Sequence, residues 1–175
     1  AKKVSELPLY YQPGTGWRYS VSTDIVGCLI ETISGQPLDE YLEERILKPL
    51  DMKDTHFEVP DGKDNRFITN YTHEKDGTLK VIDHPSMSRY TKKVTMFSGG
   101  GGMVSTSRDY LRFCRMLLNE GQLNGVRIIS PKTLELMVGN HTQNTPHHGG
   151  PIVLPAKGTS FGLSFATTND VAGTE

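Results

Sequence analysis

The sequence predicts an α/β (α+β) chain, mainly helical, that runs into an antiparallel strand near its end. Three observations point there. Apolar residues recur at helical spacing in several stretches, "RFITNYTHEK" and "TLKVID" read as two strands around an Asp76-Gly77 turn, and the tail "SFGLSFATT" alternates like a strand.

Each element has its own signal. After a tight turn at Pro13-Gly14, Ile25, Val26, Leu29, Ile30 and Ile33 recur at helical spacing, with Ser22 as N-cap and Gly35 as stop. That spacing predicts a helix of about three turns with a buried apolar stripe. A second helix starts from Pro37, which suits a first turn. It sets Leu38, Tyr41, Leu42 and Ile46 against a solvated face of Asp39, Glu40, Glu43, Glu44 and Arg45. A hairpin is expected over residues 67–83. The glycine run 99–102 then opens a helix near Thr106, with Leu111, Cys114, Leu117 and Leu118 as its buried face and Gly121 at its end. The strand "GVRII" and a short helix from Pro131 to Val138 precede the tail. A terminal strand has backbone donors and acceptors that need a neighbour. The tail's partners are therefore expected outside these residues, and the chain reads as a fragment.

Composition narrows the function classes. With 175 residues, 35% hydrophobic and 22% charged, and a formal net charge of −1, the chain suits one globular domain or a large piece of one. Nothing is basic enough for a nucleic-acid footprint, and no apolar run approaches the roughly 20 residues of a membrane span. Cys28 and Cys114 are too few and too far apart for a disulfide framework or a C-x-x-C site; both fall in apolar helical patterns and read as buried free thiols.

Several motif matches carry little. "GTSFG" at 158–162 fits G-x-S-x-G by letter, but that elbow needs a strand before it and a helix after it, and no histidine follows Ser160. "HHGG" at 147–150, with His141 nearby, sits in a Pro-, Asn- and Gly-rich stretch and reads as a solvated loop, so no metal and no cofactor is expected. The four glycines at 99–102 are not followed by Lys-Ser/Thr; they permit close backbone approach or positive φ.

One stretch, "PGTGWRYSVST" at 13–23, places a tyrosine between a turn and a helix start. It recurs with "IETISGQPLDEYL", "KPLDMKDTHF", "GGGGMVST-x-RDYLRF" and "SPKTLELM" in an order that resembles the serine β-lactamase and penicillin-binding-protein superfamily. The match runs from about Leu7 to Phe165 and looks most like the class C β-lactamase-like carboxylesterases, or family VIII esterases. That resemblance implies a fragment of the serine β-lactamase/DD-peptidase fold, mainly its helical region plus the first strand of the following antiparallel sheet segment.

Such proteins carry an S-x-x-K motif, a tyrosine motif Y-x-N or Y-S-x, and a late K-T-G, H-x-G or W-G-G. Only Tyr19-Ser20-Val21 matches, as the tyrosine motif. No lysine has a serine three residues before it, the nearest pattern being Thr72 to Lys75, and "KGT" at 157–159 is not K-T-G. Residues 1–175 are accordingly read as an internal piece of one hydrolase domain, with nucleophile and lysine upstream and the third motif downstream.

The resemblance implies an acyl-enzyme hydrolase acting on a small ester or β-lactam-like molecule. Tyr19 is the catalytic candidate: sharing a proton with the lysine, it takes the serine proton and delivers it to the leaving group. Val21 stands where class C β-lactamases carry the Y-x-N asparagine, which favours short apolar esters over β-lactams. Met96 and Phe97 are candidate apolar substrate contacts. Trp17 pins the loop beneath Tyr19, and neither it nor Arg18 is given direct chemistry. The alternatives are a β-lactamase or D-Ala-D-Ala carboxypeptidase and, from another class, a non-catalytic relative or inactive fragment.

Overall fold

The computed structural model describes residues 2–142 and 159–168. The chain divides into two compact units. One comprises residues 1–26 and 114–175, the other residues 27–113.

The second unit is built on α3 and the loops that follow it. The helix α2 (Ser22–Ser34) enters it at Gly27, where a Cβ would stand 2.9 Å from Leu38 Cδ2 and 3.5 Å from the Gly99 backbone. A Cβ there would push on the end of the Leu38 side chain, while its distance to Gly99 is ordinary van der Waals contact. Behind α3 (Leu38–Leu42) the expected single helix changes pitch into a π-helical turn over Glu43–Leu47, closed by Lys48 N–H donating to the Glu43 carbonyl at 2.9 Å. Leu38 and Leu50, each 1% exposed, with Met52 and Phe57 form the unit's apolar core. The hairpin is present as β1 (Asn70–His73) and β2 (Leu79–Asp83), with Gly77 at φ +84 in its turn.

A buried carboxylate ties this unit together. Asp109, on α4 (Ser107–Leu118), is 4% exposed; its Oδ2 accepts the Asp54 backbone N–H at 2.7 Å and the Thr55 hydroxyl at 3.0 Å. Thr55 also meets Ser105 at 2.8 Å, and His56 and Val104 exchange backbone hydrogen bonds at 3.0 and 2.8 Å. Arg112 donates to the Leu50 carbonyl and pairs with Asp51 at 2.9 Å. The segments "KPLDMKDTHF" and "VSTSRD" are thus two halves of one clamp.

The other unit holds α1 (Lys2–Ser5), the loop 6–21, and the described residues from Cys114 onward. Met116 and Leu123 are its buried apolar residues. Gly121 ends α4 at φ +86, and β3 (Gln122–Leu123) pairs with β4 (Val126–Arg127). The helix α5 (Pro131–Val138) starts as its sequence requires, with the Ser130 hydroxyl accepting from Thr133 N–H at 3.0 Å and Pro131 at its first position.

Four expectations are corrected. The tail is not one strand but a hairpin, β5 (Thr159–Phe161) with β6 (Ala166–Thr168), whose partners lie within the chain. Its turn uses Ser164 at φ +68, and Gly162 sits where any Cβ would run into the Met137 and Gly139 carbonyls. The buried face of α4 carries Asp109 and Met116, seven residues apart and so on one side; Leu111 and Leu118, about half a turn away, are exposed. The apolar row of α2 is also at the surface, Ile25, Val26, Leu29 and Ile33 being exposed, because no described element covers it. Finally, Cys28 and Cys114 are free but half-buried rather than buried. The "HHGG" stretch lies outside the described residues.

Candidate active site

The loop that carries Tyr19 is set by its own residues. Gln12-Pro13-Gly14-Thr15 closes with Thr15 N–H donating to the Gln12 carbonyl at 3.0 Å, reinforced by the Thr15 hydroxyl at 2.8 Å. Pro13 at the second position and Gly14 at φ +82 at the third are what a type II turn requires. The chain then passes through Trp17 to Tyr19 and enters α2, where the Val21 carbonyl accepts from Asp24 and Ile25 at 3.0 and 3.2 Å. The helix begins at Ser22 itself, and the Ser22 hydroxyl meets that of Ser20 at 2.9 Å.

Packing fixes the Tyr19 ring. Its edge meets Trp17 with centroids 6.3 Å apart at 70°, and Phe161 at 6.3 Å and 89°, while Trp17 and Phe161 lie 5.0 Å apart. Edge-to-face contacts of this kind orient a ring without covering its far end. Phe161 is held in turn by β5: its N–H donates to the Thr142 hydroxyl at 3.0 Å, and its carbonyl accepts from His141 N–H at 3.0 Å. Beside it, Ser160 is buried, with its hydroxyl 2.7 Å from that of Thr167, so it sits on a sheet and not on a nucleophile elbow.

The Tyr19 phenol receives and makes no hydrogen bond among the described residues. A tyrosine that merely anchors a loop would spend its hydroxyl on a backbone carbonyl. Tyr19 instead lines a cleft of about 810 Å³, together with Leu9, Tyr10, Arg18 and Val21. Val21 is exposed there and offers the cleft no hydrogen-bonding group from its side chain.

The other two candidates belong to the second unit. Met96 is exposed and lines a cleft of about 330 Å³ with Phe57 and Tyr90. Phe97 packs its ring against Phe57 at 5.0 Å. The structure therefore brings Tyr19 and Val21 together in one cleft and places Met96 in another, while Phe97 lines a third, with Phe57 common to the last two. Sequence reading missed Phe161 as the ring that backs Tyr19. The signal was the alternation itself, which puts Phe161 on the opposite face of the strand from the buried Ser160.

Among the described residues no group of three or more His, Cys, Asp or Glu side chains is arranged to hold a metal ion. The strongest ion-pair cluster is structural. Arg66 and Lys63 donate to Asp54 at 2.8 and 2.6 Å and hold its carboxyl well below the usual carboxylate range. No described helix is long and apolar enough to cross a membrane.

Known proteins place these features in context. The Beta-lactamase family model matches residues 1–169. Protein Rv1367c of Mycobacterium tuberculosis is 34% identical over 97% of this chain and 42% of its own length. Acyltransferase mokF of Monascus pilosus is 30% identical over 89% of this chain and 40% of its own, and Esterase EstB of Burkholderia gladioli is 27% identical over 63% and 31%. The solved structure of EstCE1, a hydrolase with promiscuous acyltransferase activity, superposes with a TM-score of 0.72 at 24% identity, covering 97% of this chain and 45% of that one. The chain thus spans well under half the length of the relatives it matches.

Proposed function

The chain belongs to the β-lactamase family, and on that premise we propose that it is the tyrosine-bearing segment of a serine hydrolase that cleaves short-chain carboxylic esters through an acyl-enzyme. The observation that carries this reading is Tyr19, a cleft-lining residue whose ring is packed by two aromatic rings and whose hydroxyl is bonded to no described residue. The serine and lysine of an S-x-x-K element are absent from these 175 residues. In this proposal they belong to the remainder of a longer parent, in keeping with the greater length of the relatives.

The chemistry balances as two half-reactions. The serine oxygen attacks the ester carbonyl while its proton passes to the Tyr19 oxygen, shared with the lysine. The tetrahedral intermediate collapses, and Tyr19 returns that proton to the departing alkoxide, leaving an acyl-serine. Water then attacks the acyl group along the reverse proton path and releases the acid. A general acid–base group in this position is worth roughly 10²- to 10⁴-fold.

Val21 selects the substrate. A site that met an amide-bearing β-lactam would leave the substrate's polar atoms unpaired against valine, whereas an alkyl ester has none there to lose. The parent should therefore show a much higher kcat/KM for p-nitrophenyl butyrate than for nitrocefin, with no turnover of either by the 175-residue chain alone. A parent that favours nitrocefin overturns the esterase reading in favour of a β-lactamase. Saturable turnover by the 175-residue chain overturns the placement of the nucleophile outside it.

The similarity to mokF, named an acyltransferase, supports a second reading in which an alcohol replaces water in the second half-reaction. Product analysis with butanol present separates the two, since an acyltransferase yields butyl butyrate in preference to the free acid.

A further inference from the structure

Among the described residues, those lining the Tyr19 cleft include one cation and no acid. Arg18 is the sole charged residue among those lining it, which otherwise include Leu9, Tyr10 and Val21. The Arg18 guanidinium lies 4.7 Å over the centroid of the Tyr10 ring. Among the described residues no carboxylate pairs with it and no carbonyl accepts from it. The acids nearest in sequence, Glu6 and Asp24, do not line the cleft.

This geometry has a chemical consequence. A guanidinium stacked on an aromatic face spends its π-surface on the ring and keeps its edge N–H groups, a planar fork that matches a carboxylate. Stacking also removes much of the rotational freedom that a long side chain loses on binding, so the fork is pre-oriented. Several other cations of this chain are committed to protein partners. Arg66 and Lys63 hold Asp54, Arg112 holds Asp51, and Arg127 donates to the Glu120 and Ile129 carbonyls. Arg18 is next to Tyr19 in sequence and shares its cleft.

We propose that Arg18 recognises a carboxylate carried by the substrate at a distance from the scissile bond, so that the preferred substrates are anionic esters, such as half-esters of dicarboxylic acids or esters of hydroxy acids. This rests on the hydrolase reading above and names its substrate class. The rest of the cleft is largely apolar, so the substrate it fits has an alkyl or aryl body between the ester and the acid.

The test uses the full-length parent enzyme and two matched pairs. One is p-nitrophenyl hydrogen glutarate against p-nitrophenyl valerate, with the carboxylate on the acyl side. The other is 4-acetoxybenzoate against methyl 4-acetoxybenzoate, with the carboxylate on the alcohol side. Charge-assisted, bidentate recognition predicts a preference of roughly 10- to 100-fold in kcat/KM for the anionic member of at least one pair, seen mainly in KM. Arg18→Gln should collapse that ratio toward one and Arg18→Lys should restore part of it, while 0.5 M NaCl should shrink it in the wild type. Equal turnover of both members of both pairs, or a ratio that survives Arg18→Gln, overturns the proposal and leaves the hydrolase reading intact. If no ester is hydrolysed, the hydrolase reading fails, and calorimetric titration with glutaramic acid and neutral glutaramide decides the recognition. Tighter binding of the acid, lost in Arg18→Gln, supports it, and equal binding overturns it.

Discussion

The Tyr19 cleft and the Asp109 clamp both position a polar side chain with care, and they dispose of its hydrogen bonds in opposite ways. Asp109 is buried, and its Oδ2 is occupied by the Asp54 N–H and the Thr55 hydroxyl. Tyr19 is half-buried; its ring is held by Trp17 and Phe161, yet no described residue meets its hydroxyl. A polar group whose partners are all supplied by the protein holds structure together. One whose body is fixed and whose polar end is left for something else is placed for a ligand. Both lie in segments that define the family resemblance, so family motifs mix scaffold with chemistry, and hydrogen-bond accounting separates them.

The contrast can be broken by experiment. The largest effect is expected from Tyr19→Phe in the full-length parent, which removes only the hydroxyl. Ester turnover should fall by roughly 10²- to 10⁴-fold with little change in the denaturation midpoint. The same change at Tyr10, Tyr41, Tyr71 or Tyr110 should bring no such selective loss, and turnover within a few-fold of wild type would make Tyr19 structural. Asp109→Ala should do the reverse. It strips a carboxylate from two buried donors and should cost about 1.5–3 kcal/mol in chemical denaturation, with kcat per folded molecule within about 3-fold of wild type.

Smaller effects sharpen the picture within each region. Val21→Asn returns a hydrogen-bonding amide to the cleft and should raise the ratio of nitrocefin to p-nitrophenyl butyrate turnover severalfold, mostly by improving the former. Across acid pH, the Asp54 carboxyl is held below its ordinary value, chiefly by its hydrogen bonds to Arg66 and then Lys63. Its stabilising contribution is therefore present above about pH 4 and lost as pH falls below that. Thermal melts between pH 5 and 2 should show a slightly shallower acid decline in Asp54→Asn than in the wild type, because these groups are partly exposed and screened.

Much of this was legible from residue types alone. Pro13-Gly14 dictates its turn, Asp76-Gly77 its hairpin, and Ser130-Pro131 the start of α5, because each depends on a local conformational or capping preference. What escaped depends on distant partners. Asp109 looks solvent-facing in a helix until the Asp54 N–H is brought to it by a segment about fifty residues earlier. Reading burial from leucine content therefore chose the wrong face of α4. The tail's alternation runs unbroken through its turn, since Ser164 at positive φ is a residue type that announces nothing. That Tyr19 and Val21 sit close together follows from the motif's spacing alone, and both line one cleft. Phe161 was not legible, because its role exists only once β5 is folded back beside the loop.

The seat of Gly162 gives protein engineers a handle on the Tyr19 cleft. Leu163 N–H donates to the Met137 carbonyl at 2.8 Å, and Gly162 N–H closes the turn on Phe165 at 2.7 Å, so the β5–β6 hairpin rides on the last turn of α5. Phe161 is the next residue along, and its ring is one of the two walls against Tyr19. The Met137 backbone is thereby linked to the Tyr19 ring through Leu163 and Phe161, neither of which lines the cleft. A library aimed at residues 134–139 would therefore vary the support of the Tyr19 ring while leaving every residue that lines the cleft unchanged.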